Sequence, residues 1–175
     1  VLKEAGIHID MIAGTSMGAL VGAIFAYKGS LNHLINTTIK KFPTRSSARR
    51  KIFDLTLPLN GFLQGKKALN LVANAVDNAD FMDLVIPTYI VGVDILNGQE
   101  ILFETGDVAK AVRSSLSLPG VFTPFRHQGR WMVDGGLLNP VPVNILEQKG
   151  ADKIIAVCVE NSHSKSQTIQ KKSPN

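Results

Sequence analysis

A serine set between two glycines, Gly14-Thr15-Ser16-Met17-Gly18, stands where the hydrophobic pattern of the chain changes abruptly. Before it, Ile9-Asp10-Met11-Ile12-Ala13 reads as a short buried strand. After it, Met17 to Ala26 reads as a helix rich in Ala and Gly. Strand, tight turn and helix in this order point to an α/β layered sheet. They also give G-x-S-x-G the context of a nucleophile elbow, in which a strained turn presents the serine Oγ. On this reading Gly14 and Gly18 are glycines because the chain comes too close there for side chains. The Met17 N–H then lies at a helix N-terminus, aimed at the oxyanion that forms when Ser16 attacks an ester. A plain Gly-rich βα turn or a phosphate cradle are the competing readings. The absence of a lysine after the glycines speaks against a P-loop.

The rest of the chain continues the α/β pattern. Leu2 to Ala5 looks like the last turn of a helix stopped by Gly6. Leu31 to Lys40 reads as a second helix, Pro43 to Gly65 as a long excursion, and Lys66 to Val76 as a further helix. Thr88 to Ile95 and Glu100 to Phe103 flank Asn97-Gly98, which predicts a hairpin with a type I′ turn. Val108 to Ser115 reads as a helix, and His127 falls in an apparent turn. Arg130 to Val133 is a strand running into Asp134-Gly135-Gly136, Val143 to Lys149 is a helix stopped by Gly150, and Lys153 to Val159 is a strand.

At 175 residues, 45% apolar and 19% charged, the chain can bury one good core but not two. Residues 1–160 form one domain on this reading, and the Ser-, Gln- and Lys-rich run 161–175 is a disordered tail. The single cysteine, Cys158, lies in an apolar run and reads as a buried core thiol, in keeping with a cytoplasmic, reducing setting. Met11 to Tyr27 is uncharged and carries Gly14, Gly18 and Gly22 at four-residue spacing, but it is shorter than the ~20 residues a membrane span needs. The chain opens without methionine, as if inside an element, which reads as an N-terminal truncation.

A serine nucleophile needs a base. His8, His33, His127 and His163 are candidates by type. Only His163 follows the serine–acid–histidine chain order of one hydrolase class, and it lies in the polar tail. Asp134 closes a strand and is followed by Gly135 and Gly136, so its carboxylate can approach another backbone with little in the way. An aspartate is ordinarily a weak base, yet in a dry site it can take the serine proton as the carbon–oxygen bond forms. A simple Asp-Gly turn is the competing reading.

Gly14-Thr15-Ser16-Met17-Gly18-Ala19 together with Asp134-Gly135-Gly136 resembles the patatin-like phospholipase family, and its bacterial members in particular. The stretch Ala111 to Pro124 is similar to a third motif block of that family, and Leu138 to Val143 with Gly150-Ala151-Asp152 to its C-terminal run. The resemblance implies a three-layer α/β/α sandwich with a mostly parallel central sheet. It implies a Ser16–Asp134 dyad without histidine, and hydrolysis of lipid acyl esters through an acyl-enzyme without metal or cofactor. It also places the family's Gly-rich loop, which supplies the main oxyanion donors, upstream of Gly6, so low activity is expected of the chain as it stands.

Two rival readings remain: a serine–histidine–aspartate esterase using His163, and a non-catalytic or regulatory protein on the same fold. The net charge of +5 is concentrated in Lys40 to Lys51 and the tail. Basic residues next to Ile52-Phe53 and Leu55 suggest peripheral contact with an anionic membrane surface, against the plainer reading of a solvated loop. A lipid ester is the expected partner and nucleic acid is not.

Overall fold

The computed structural model describes residue 2 and residues 5–39 and 65–159. The basic stretch Lys40 to Lys51, most of the expected excursion, His163 and the tail lie outside the described residues. The described elements are strand β1 (Ile12–Thr15), helix α1 (Met17–Lys28), helix α2 (Leu31–Leu34), a π-helical turn (Ile35–Ile39) and helix α3 (Lys66–Ala75). They continue with strands β2 (Thr88–Asp94) and β3 (Gln99–Phe103), helix α4 (Val108–Ser115), strands β4 (Phe125–His127) and β5 (Arg130–Asp134), and helix α5 (Val143–Gln148).

β2 organises the sheet. β3 runs antiparallel along one edge of it, with Ile90 opposite Phe103 and Asp94 opposite Gln99. Those pairings occupy the residues that also pair with β5, so β5 takes the other edge, with Gly92 opposite Asp134. β1 shares that second edge lower down, parallel to β2, with Ile12 opposite Thr88 and Thr15 opposite Val91. β1 and β5 therefore run toward each other along one edge and meet, C-terminal end to C-terminal end, at Val91–Gly92. β4 pairs with β5. The α/β class is as expected, but the sheet is mixed among the described residues: one pairing is parallel and three are antiparallel. The physical reason is connection length, since two of the antiparallel neighbours are joined by short hairpin turns.

The primed turn sits elsewhere than predicted. Gln128 and Gly129 both have positive φ, 49° and 78°, and close β4–β5 as a two-residue turn. At Asn97-Gly98 only Gly98 is left-handed, because Asp94 organises a four-residue loop by accepting from the Leu96 N–H and the Asn97 side chain. His127 is consequently in a strand, not a turn.

α1 is apolar on both faces: Ala19, Leu20, Gly22, Ala23, Ile24 and Ala26 are buried, while Met17, Val21 and Phe25 line the recess beside Ser16. A Cβ on Gly22 would lie 2.9 Å from the Ile12 side chain, so this glycine brings the helix down onto β1. Gly22 of the four-residue glycine spacing thus serves packing within the domain. Helices α1, α3 and α4 share one core with Ile90, Phe103 and Met132 of the sheet. α5 lies on the other face, where the Lys149 ammonium after it sits 4.9 Å from the Tyr89 ring. Among the described residues no helix is long and apolar enough to cross a membrane.

Two elements depart from the reading. Where a single helix is expected from Leu31, Leu31–Leu34 is a short α-turn that widens into the π-turn Ile35–Ile39, with the Thr37 hydroxyl bonding back to the His33 carbonyl. The run 153–159 forms no strand: it pairs with no strand among the described residues, and Ile155, Val157 and Val159 are exposed. Cys158 is exposed there as well, not buried in a core.

Candidate active site

The head-on meeting of β1 and β5 sets Ser16 beside Asp134. Ser16 follows the last residue of β1 and precedes α1, with φ 54° and ψ −120°, a conformation non-glycine residues rarely adopt. Its Oγ donates to Oδ2 of Asp134 at 2.6 Å. The other carboxylate oxygen, Oδ1, accepts from the Gly136 N–H at 2.7 Å. Asp134 is only 3% exposed, so its carboxylate is held on both oxygens out of bulk water.

The glycines have different reasons. A Cβ on Gly14 would lie 2.7 Å from the Ala19 nitrogen and the Gly18 carbonyl, because the elbow folds α1 back over β1. One on Gly135 would lie 2.3 Å from the Val91 oxygen and 3.0 Å from Thr15 Cγ2. On Gly136 the nearest atom would be Asp134 Oδ1 at 3.1 Å. Gly18 corrects the expectation made for both motif glycines, since a Cβ there meets nothing within 4 Å among the described residues. Met17 is the first residue of α1 with its side chain 54% exposed, and its N–H finds no acceptor among the described residues.

Residues not singled out as site residues complete the frame. The Ser115 hydroxyl accepts the Ser16 N–H at 2.8 Å and donates to the Val91 carbonyl at 2.6 Å. The Thr15 hydroxyl donates to the Asn139 carbonyl at 2.8 Å, tying the loop after Asp134 to β1. Arg113 is buried between the Phe122 and Phe125 rings and donates to the Ser117 hydroxyl. A serine-rich run, Ser114-Ser115-Leu116-Ser117, in a helix that otherwise reads as core was the signal available for them.

The described histidines stand apart from this centre. His8 faces Asp10, His33 bonds the Ala75 carbonyl through Nε2, and His127 packs against the Phe103 and Phe125 rings. Burial, with the nearby Lys110 charge, holds His127 below the ordinary imidazole range, partly offset by Asp107. Ser16 and Asp134 lie on the wall of an apolar recess of about 870 Å³, lined also by Ile12, Val21, Phe25, Leu34, Leu137 and Leu146.

The patatin-like phospholipase family model matches residues 1–147. The chain belongs to that family. Over 163 residues it is 34% identical to uncharacterized NTE family proteins of Mycobacterium bovis and Mycobacterium tuberculosis, covering 93% of this chain and 44% of theirs. Over 159 residues it is 33% identical to lysophospholipase NTE1 of Candida albicans, covering 90% of this chain and 11% of that protein. The chain thus spans less than half the length of these curated relatives. Among solved structures, VipD from Legionella pneumophila superposes with a TM-score of 0.52 at 14% identity, over 79% of this chain and 42% of VipD, a likeness of fold.

Proposed function

We propose that this patatin-like domain hydrolyses acyl esters of lipids, with Ser16 as nucleophile and Asp134 as general base. The observation that carries the reading is the direct 2.6 Å hydrogen bond from the Ser16 hydroxyl to the Asp134 carboxylate, at the apex of a strained elbow. As Ser16 Oγ attacks the ester carbonyl, its proton passes to Oδ2 and a tetrahedral oxyanion forms. The Met17 N–H is the donor to that oxyanion among the described residues. Collapse breaks the ester carbon–oxygen bond, the Asp134 proton goes to the leaving alcohol, and the acyl group stays on Ser16. A water then enters, loses its proton to Asp134 as it attacks, and the carboxylic acid departs as Ser16 regains its hydrogen.

A histidine relay is disfavoured by the same contact. In a triad the imidazole lies between serine and acid, and at 2.6 Å there is no room for one. Lipid substrates are favoured by the apolar recess beside Ser16 and by the lysophospholipase name carried by a relative. Peripheral contact with anionic membranes through Lys40 to Lys51 belongs to the same proposal and rests on the sequence.

The test is release of free fatty acid from lysophosphatidylcholine micelles by the protein and by Ser16→Ala. Release that depends on Ser16 supports the reading. Release unchanged in the variant removes Ser16 from the chemistry.

A further inference from the structure

The backbone N–H groups of Ser16 and Asp134 are held by the last residue of α4 and by the turn that follows it. That of Ser16 donates to the Ser115 hydroxyl at 2.8 Å, and that of Asp134 to the Ser117 carbonyl at 3.1 Å. We propose that this segment is a clamp that sets the separation of the two side chains, with Ser115 as the positioning residue for Ser16. The inference rests on the reading of Ser16 and Asp134 as nucleophile and base.

The need for a clamp follows from the topology. β1 and β5 share an edge of β2 without pairing to each other, so no ladder hydrogen bond fixes the gap between their ends. The β1 ladder ends at Thr15 opposite Val91, and the next β2 position, Gly92, is taken by Asp134, so the Ser16 N–H has no ladder partner on β2. Something outside the sheet has to satisfy that donor, because a buried unpaired N–H is costly. Ser115 does so, and its own proton is committed to Val91 at 2.6 Å, the residue opposite Thr15 at the junction. One hydroxyl therefore links nucleophile backbone, central strand and α4, with its donor and acceptor roles both fixed. It is fully buried, so water cannot take its place without rearrangement. Two residues on, the Ser117 backbone is braced by its hydroxyl, which donates to the Arg113 carbonyl at 2.9 Å and accepts from the buried Arg113 guanidinium.

The neighbouring Ser114 supplies an internal control. It is equally buried, and its hydroxyl donates to the Lys110 carbonyl in its own helix. Ser114→Ala and Ser115→Ala each delete one buried hydroxyl from adjacent positions, but only the second touches Ser16.

The experiment measures kcat and KM for a p-nitrophenyl acyl ester, and the rate of covalent fluorophosphonate labelling, on the protein, Ser114→Ala, Ser115→Ala, Ser115→Cys and Ser115→Thr. Ser115→Ala is expected to lower kcat and the labelling rate by ~10–10²-fold, the scale of a misplacement of about 1 Å, with KM within about twofold. Ser114→Ala keeps the original kcat, and Ser115→Thr, which retains the hydroxyl, recovers most of it. Ser115→Cys keeps the space with a weaker partner and falls between; it carries the test if Ser115→Ala does not fold. Equal kcat in Ser115→Ala and the protein, or equal losses in Ser114→Ala and Ser115→Ala, overturn the clamp. Ser16→Ala separates this from the parent reading. If labelling survives in Ser16→Ala, the nucleophile assignment fails and the clamp with it; if labelling is lost there but normal in Ser115→Ala, only the clamp fails.

Discussion

The Ser16 hydroxyl and the Asp134 carboxylate, 118 residues apart in sequence, meet at 2.6 Å because two strands run head-on along one edge of β2. The contact is a property of the sheet's register, so its chemical and mechanical consequences are separable by substitution.

Asp134→Asn keeps the size of the side chain and its contact with the Gly136 N–H but cannot accept a proton. With Asp134 as base, kcat for a short-chain ester falls by at least ~10²-fold, the lower end of general base catalysis. Steady-state kinetics on a variant shown to be folded by circular dichroism checks this. Turnover near that of the unsubstituted protein would pass the role to another group.

The two motif glycines are predicted to differ. Gly14→Ala drives a methyl into backbone 2.7 Å away, which the elbow cannot relieve by a rotamer change. It should cost about 2 kcal/mol or more of stability, the scale of overpacking. Gly18→Ala meets nothing within 4 Å among the described residues and lies inside α1, where alanine is the better helix former. Its stability should be equal or slightly higher. Urea melts of the two variants decide between these outcomes.

His127 gives a pH prediction. Burial and Lys110 lower its pKa in the folded protein below the ordinary 6.5, while Asp107 pulls weakly the other way. The unfolded chain then binds the proton more readily than the folded one. The contribution of neutral His127 is therefore fully present above about pH 6.5 and is lost as the pH falls through the folded value. Chemical denaturation at a series of pH values between 5 and 8 should show stability rising with pH, with a shallower slope in His127→Gln. An identical slope in the variant would assign the pH dependence to other groups.

If Lys40 to Lys51 contacts anionic membranes, binding of the protein to phosphatidylserine-containing vesicles weakens with added salt, because exposed charges are screened over ~8–10 Å. Neutralising Arg49, Arg50 and Lys51 together lowers it further in a vesicle sedimentation assay. Equal binding to neutral and anionic vesicles would leave the stretch as a solvated loop.

The parts of the site carried by local pattern were legible in the sequence. Ser16 follows from a strand-to-helix change of period around two glycines, and Asp134 from a strand running into Gly135-Gly136. Their adjacency was not legible from periodicity, since it depends on which edge of β2 each strand takes. Ser115 was hidden for a similar reason: a serine in a buried helix looks like any small core residue until its long-range partners are known. The primed turn was misplaced because Asn-Gly is the usual carrier of positive φ, whereas here Gln128 takes it and Asp94 reshapes the Asn97-Gly98 loop. Cys158 reads as a core thiol because an apolar run resembles a buried strand, but burial requires a neighbour that the run itself does not specify.

Whether Ser16 is an activated nucleophile is tested by covalent labelling with a fluorophosphonate probe followed by peptide mass spectrometry. One adduct is expected, on the peptide containing Ser16, absent in Ser16→Ala and formed at least ~10²-fold more slowly in Asp134→Asn. Labelling that persists undiminished in Ser16→Ala, or an adduct on a different serine, would contradict the assignment of Ser16 as nucleophile.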